Sequence, residues 1–314
     1  MNIFKALIMR EILDGKNGYI RVPIILAAVT IVLLLLSSIG FGKAIHFDGM
    51  EKEGIESLGD AIAMASEKEG DELPSAVTLG YWAMTVLPWI AFPFVVFFSL
   101  LGSLYEERRD RSILFWKSMP TADWQEVSAK LFVPIIVAPL IFLAVVIAAQ
   151  IVIAFLLSII VLFQGGPMLE MWPLGLMIQT WFAGLTMYYV HALWALPLFA
   201  WVSLVSAYAN RMPFLWVVLA PAILIAVEGI FFETHRIGKW ISIHMGGWMD
   251  GAFGHYDKVN TGHIDGPRDV LAFLLGRPQL DALAFSLGSL HFWVGLMIAG
   301  GFIYATIEMR KRAI

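Results

Sequence analysis

Six long apolar runs constrain this chain more than anything else in it: Val22–Phe41, Tyr81–Leu104, Leu131–Phe163, Tyr188–Tyr208, Pro213–Phe232 and Leu287–Glu308. A helix needs about 20 apolar residues to cross a hydrocarbon core about 30 Å thick. The expectation is therefore an all-α polytopic membrane protein, one domain over residues 1–314, with six transmembrane helices. The third run exceeds a simple crossing and must tilt or project beyond the bilayer. The fourth is preceded by more apolar sequence from Trp172. Composition agrees, at 59% hydrophobic, 15% charged and a mean hydropathy of +0.77. An average soluble domain carries roughly 25% charged residues. The 12 Trp and 22 Phe suit membrane interfaces and packed bundles. No internal repeat of fixed period is present.

The 21 residues ahead of the first run, "MNIFKALIMREILDGKNGYIR", mix charges of both signs and lack a small-residue cleavage site, unlike a signal peptide. Phe4, Leu7, Ile8 and Ile12 share one helical face, with Lys5, Arg10 and Asp14 largely elsewhere. Residues 1–21 thus read as an interfacial helix on the membrane surface, or else an ordinary soluble helical turn. Basic residues then orient the chain. Lys5, Arg10, Lys16 and Arg21 precede the first run, and Arg108, Arg109, Arg111, Lys117 and Lys130 follow the second. Arg211 and the terminal Arg310, Lys311 and Arg312 complete 13 of the 21 Lys and Arg residues. With six crossings all of these share one side, so both termini are expected in the cytoplasm of a cell (inner) membrane protein.

Two segments are expected outside. Residues 43–79 hold nine carboxylates against three lysines, with Ile55, Leu58, Ile62 and Ala65 at the spacing of an amphipathic helix. Residues 234–286 are rich in glycine and histidine and then turn apolar at "VLAFLLGRPQLDALAFSLG". That stretch is too interrupted to cross, and reads as short helices dipping into the outer leaflet. His46, His235, His244, His255 and His263, with Asp250, Asp257 and Asp265, offer ligands for Zn or Cu. Their irregular spacing matches no ligand pattern, so a solvated loop is preferred and no metal or cofactor is assigned. The absence of cysteine removes disulfides and thiol chemistry, and a net charge of −4 gives no reason to expect nucleic acid.

The densest charge lies between the second and third runs, in residues 105–130, where six of the seven residues of "EERRDRS" are ionised. Glu106–Lys117 has the composition of a short helix. Pro120 disfavours helix at Met119, and Thr121 can cap a second helix with Asp123 in its first turn. The charges can pair along one helix or meet those of another protein, for which Phe115, Trp116 and Trp124 close by would make a docking knob. Otherwise the loop is merely solvated, its arginines gripping lipid phosphates.

The amino-terminal interfacial helix, the six spans, the pattern E-x-R-(D/E)-x-(S/T/G) after the second span and "SMPTADWQEVSAKL" leading into the third resemble the type-2 ABC transporter permease family. These are export-class membrane subunits of ATP-binding-cassette transporters. As topology the resemblance runs along the whole chain, but its specific part is Glu106–Leu131. It implies that the loop rests on a separate nucleotide-binding subunit and passes on its closure. The contacts would be Glu106, Glu107, Arg108, Arg109, Asp110 and Arg111, with Trp116 beside them. It also implies two copies of that ATPase, which would hold ATP and Mg, and a second permease copy, identical or closely related. Ser112 stands where many members carry glycine, and the His-rich outer segment is not a general family feature.

No ATPase site is present in the chain itself: "GKN", "GKA" and "GKW" all lack the GxxxxGK[ST] arrangement that cradles phosphates and holds magnesium. Neither HEXXH nor GxSxG occurs, and no carboxylate pair faces across a span. Glu228 lies roughly 22 Å along a helix from Pro213, at a depth similar to His191 and His291. A carboxylate there either snorkels to water or, with these histidines, lines a pathway. The leading expectation is a transport subunit working in export. The rival is a non-transporting scaffold or mechanotransmitter between an ATPase and an outer partner. A secondary transporter ranks third, for want of an internal repeat.

Overall fold

The computed structural model describes residues 3–40, 57–68, 70, 72–253, 266–276 and 278–313. Six of its helices are long and apolar enough to cross a membrane: Asn17–Ser37, Val86–Arg109, Asp123–Phe163, Met168–Tyr208, Pro213–Phe232 and Leu290–Arg312. No strand occurs among the described residues. The second span starts later than expected. Tyr81 belongs to a separate helix, Leu73–Met84, and the chain breaks at Thr85 before Val86. The third is a continuous helical rod of 41 residues, roughly 60 Å long at about 1.5 Å per residue and so about twice the hydrocarbon thickness.

Two features of that rod follow from its prolines. Residues Val133–Val137 form one wide π-helical turn around Pro134. Pro139 has no N–H to offer the carbonyl four residues earlier, at Ile135. The hydroxyl of Tyr188 donates to that oxygen at 3.2 Å, and Tyr189 donates to Ile136 at 2.9 Å. The fourth span thus supplies donors where the third lost one, which an apolar surround requires. Further along, the buried Gln150 donates to Thr85 Oγ1 at 3.0 Å and accepts from Trp181 Nε1 at 2.6 Å. It joins the third span to the fourth and to the start of the second.

The helix Ile3–Asp14 forms as expected but uses its apolar face on the protein. Leu7 is buried, Ile8 and Ile12 pack against the main core, and Phe4 meets Phe132 edge-on. Ile3, Met9 and Leu13 point outward. Helix Leu58–Lys68 of the acidic segment lies against the end of the third span, with Gly59 N donating to Gln164 Oε1 at 2.8 Å. Ile55 and His46 fall outside the described residues. After the fifth span come helices Arg236–Gly246 and Trp248–Phe253, then Pro267–Leu275 and Pro278–Gly288. The last two are bent by 41° and together have the length and apolarity of a seventh crossing. The contacts of the two chain ends argue against that crossing. Arg10 and Arg310 both bond Glu126, so the termini meet on one face, and an even number of crossings follows.

Replacing Gln150 with Leu removes both of its links and leaves Trp181 Nε1 without its acceptor, while the Thr85 hydroxyl still donates to Tyr81 O. Interhelical hydrogen bonds in membrane proteins contribute about 0.6–2 kcal/mol, so Gln150→Leu should lower the melting temperature in neutral detergent by a few degrees. An unchanged melt would show that this link carries no stability.

Candidate functional site

The loop between the second and third spans folds into helices Tyr105–Arg109 and Ile113–Lys117, a turn, and the helix beginning at Asp123. The first two are separated by a sharp turn in which Arg111 adopts a left-handed φ of 63°. Asp110 fixes this turn by accepting from Ser112 N at 3.0 Å, a bond that holds its carboxylate below the usual range. The expected cap is displaced by one residue. Ala122 is the N-cap, and the Thr121 hydroxyl instead donates to Glu126 Oε1 at 3.0 Å.

Beneath this loop lies a buried cluster of three cations and three carboxylates, contributed by four segments. Glu126, on the first helical turns of the third span, has a side chain only 2% exposed and sits between two guanidinium groups. Arg10 Nη2 approaches its Oε2 at 2.9 Å and Arg310 Nη2 at 3.1 Å. Glu107, at the end of the second span, accepts from Arg310 Nη1 at 2.7 Å and pairs with Lys130 Nζ at 2.8 Å. Lys130 also reaches Glu11 at 3.0 Å, and Glu11 bonds the neighbouring Arg10. Asp123 Oδ1 lies 3.4 Å from Arg310 Nε at the cluster's edge. Burial works against the Arg10 cation, but Glu126 and Glu11 outweigh it and hold the guanidinium above its ordinary value.

The residues singled out in the loop therefore divide. Glu107 is a member of the cluster, and Trp116 lies under Arg10, whose guanidinium carbon is 4.1 Å from the ring centre. Arg108 donates to the carbonyls of Ser206 and Ala209 at 2.7 and 2.9 Å, which ties the loop to the end of the fourth span. Ser206 Oγ completes the tie by accepting from Leu104 N and Tyr105 N. Lys117 closes the last carbonyls of the sixth span through Lys311 O and Ala313 O. Glu106, Arg109, Asp110 and Arg111 remain outside, with Leu114, Phe115, Met119 and Trp124 also exposed. Sequence reasoning missed Arg10, Glu11, Glu126, Lys130 and Arg310 as one group. The available signal was the four-residue spacing of Glu126 and Lys130, which places both on one helix face.

The polar residues expected deeper in the bundle have separate partners. Glu228 accepts from Thr234 Oγ1 at 2.7 Å, Arg236 N at 2.7 Å and Ile237 N at 2.8 Å. It is buried and caps the helix Arg236–Gly246, where a carboxylate complements the helix dipole. His191 Nδ1 accepts from Trp248 Nε1 at 3.0 Å, while the His291 side chain is exposed. The carbonyl of His291 lies 3.2 Å from Nε2 of the buried His244, which packs so close to Gly295 that a β-carbon there would stand 2.2 Å from the same nitrogen. Of the suggested metal ligands, His255, His263, Asp257 and Asp265 lie outside the described residues. Among the described residues no group of three His, Asp or Glu side chains is arranged to hold a metal ion.

No family model, no characterised protein and no solved structure matches the chain.

Breaking the cluster should cost far more than altering the outer face of the loop. Glu126→Gln leaves Arg10 and Arg310 without their shared anion, and losing one partner of a buried pair costs about 3–5 kcal/mol. Glu106→Gln should leave the unfolding midpoint in mixed micelles unchanged, whereas Glu126→Gln should lower it sharply.

Proposed function

We propose that this chain is the membrane subunit of an ABC transporter, acting in export and coupled through residues 105–130 to a separate cytoplasmic ATPase. A second permease copy completes the pathway, and ATP and Mg belong to the ATPase. The observation that carries this reading is the division of the loop. Its inner side is fixed to the amino-terminal helix, the fourth span and the sixth span by Glu107, Arg108, Trp116 and Lys117. Its outer side presents Glu106, Arg109, Asp110 and Arg111 next to exposed Phe115 and Trp124. A surface that receives mechanical work must be rigid behind and complementary in front, and charges across an interface govern partner choice. The remaining exposed apolar surface of the spans faces lipid, and Glu228, His191 and His291 border the outer half of the pathway.

A second reading rests on the sixth span. Its Arg310 end is held in the charge cluster, and its opposite end packs through Gly295 and Phe292 against His244 and Trp194. A rod held at both ends can carry movement from an ATPase to an outer partner without a substrate passing, which is a mechanotransmitter.

The purified chain alone should show no magnesium-dependent ATP hydrolysis and should copurify with an ATPase. Arg109→Glu combined with Arg111→Glu should abolish that copurification while leaving the melting temperature unchanged, because exposed ion pairs contribute only about 0–1 kcal/mol. Retained ATPase binding would return the loop to a lipid-facing role. Movement of a substrate across the membrane by the ATPase-bound protein would argue against the second reading.

Orientation is checked separately. A cysteine at Ser118 should resist a membrane-impermeant maleimide added to intact cells, and one at Ser66 should react.

A further inference from the structure

A cavity of about 610 Å³ opens between the amino-terminal segment and the second span. It exists because the residues facing across it are small: Gly15, Gly18, Ser99, Gly102 and Ser103 all line it. A β-carbon at Gly18 would stand 3.1 Å from Val95 Cγ1, and one at Gly102 would stand 3.2 Å from Glu106 Oε1. Even a methyl group at either position would narrow the space.

The wall changes character along its length. Phe94, Val95 and Phe98 line one end, and Glu106 lies roughly 12–18 Å further along the same direction of chain at about 1.5 Å per helical residue, with Asp110 just beyond it. Five carboxylates line the cavity (Glu11, Asp14, Glu106, Glu107 and Asp110) against one ammonium, Lys130. Lys130 is already shared by Glu11 and Glu107. Asp110 accepts from Ser112 and has Arg109 as its nearby cation, and the cation nearest to Asp14 is Arg10 Nε at 4.0 Å. Glu106 makes no ion pair among the described residues. Burial and the neighbouring Glu11 push the Asp14 carboxyl above its ordinary range, as expected where negative charge exceeds its counter-charge.

These features select among occupants. An anionic headgroup would meet Asp14, Glu106 and Asp110, since Glu11 and Glu107 are already balanced by Arg10, Lys130 and Arg310, and a plain hydrocarbon would leave the acidic end unanswered. A small hydrated cation would make no use of the rings of Phe94 and Phe98. We propose that the cavity binds an amphiphile with an ammonium head, the head seated among Asp14, Glu106 and Asp110 and the tail along Phe94 and Phe98. This site does not depend on the chain being an ABC permease.

The test uses the full-length protein in phosphatidylcholine nanodiscs with dodecylammonium as the probe, followed by native mass spectrometry and calorimetry. Saturable binding of one probe per chain is expected, with no comparable binding of dodecyl sulfate. Asp14→Asn combined with Glu106→Gln should weaken dodecylammonium binding at least tenfold while leaving the melting temperature unchanged. Gly102→Met should also abolish binding, by filling the lumen rather than by removing charge. Competition by phosphatidylethanolamine would identify a membrane lipid as the natural occupant, and its failure to compete would identify a free amphiphile. Equal binding of the sulfate, or undiminished binding to both variants, would overturn the proposal.

Discussion

Six charged side chains enclosed at one end of an apolar bundle can stay there only by neutralising one another. Each would carry a desolvation cost of several kcal/mol if left alone. Glu126 meets Arg10 and Arg310, Glu107 meets Arg310 and Lys130, and Glu11 meets Lys130 and Arg10, so no charge depends on a single partner. Because the six groups come from the amino-terminal helix, the ends of the second and sixth spans and the start of the third, their mutual need holds those segments together. Much else follows from this constraint. It brings the chain ends onto one face, draws the apolar side of the helix Ile3–Asp14 onto the bundle, and fixes one side of the 105–130 loop.

The same constraint gives the loop the stiffness that the proposed coupling role requires. A flexible loop would absorb a push from a partner. This one is attached at its back to three other segments, and Arg108 adds a fourth set of bonds to the carbonyls ending the fourth span. Displacement of its outer face must move the amino-terminal helix and the sixth span or break buried ion pairs. At its far end the sixth span is seated against His244 and Trp194, so any such movement reaches the layer of short helices around Trp248 and Phe292.

Much of the architecture was legible in the sequence, since long apolar runs have few alternatives in a membrane. The fifth span, Pro213–Phe232, has the same bounds in the sequence reading and in the structure. In the loop the turn at Pro120 and the helix beginning at Asp123 were legible, whereas Glu106–Lys117, expected as one short helix, is broken in two at Arg111. Pairings between distant residues were not legible. Arg10 and Arg310 stand at opposite ends of the chain, and each reads locally as one of many basic residues flanking a span. An amphipathic face such as Leu7, Ile8 and Ile12 has the same periodicity whether it meets lipid or protein, so the docking of that helix could not be read from its pattern. For Glu228 the need of a buried carboxylate for a partner was foreseeable. The partner itself, the first amides of the helix Arg236–Gly246, depends on how the chain turns at Glu233, a residue with a left-handed φ of 51°.

The central claim is that the buried charges act as one unit joining the chain ends to the loop. A double-mutant cycle between Glu126 and Arg310 tests it most directly, using Glu126→Gln, Arg310→Gln and the combined variant in reversible unfolding from mixed micelles. Residues in one buried network show interaction energies of about 0.5–3 kcal/mol, whereas independent sites add to within about 0.5 kcal/mol. The account predicts a coupling of about 1.5 kcal/mol or more, with the combined variant less damaged than the sum of the single ones. Additive losses would contradict it.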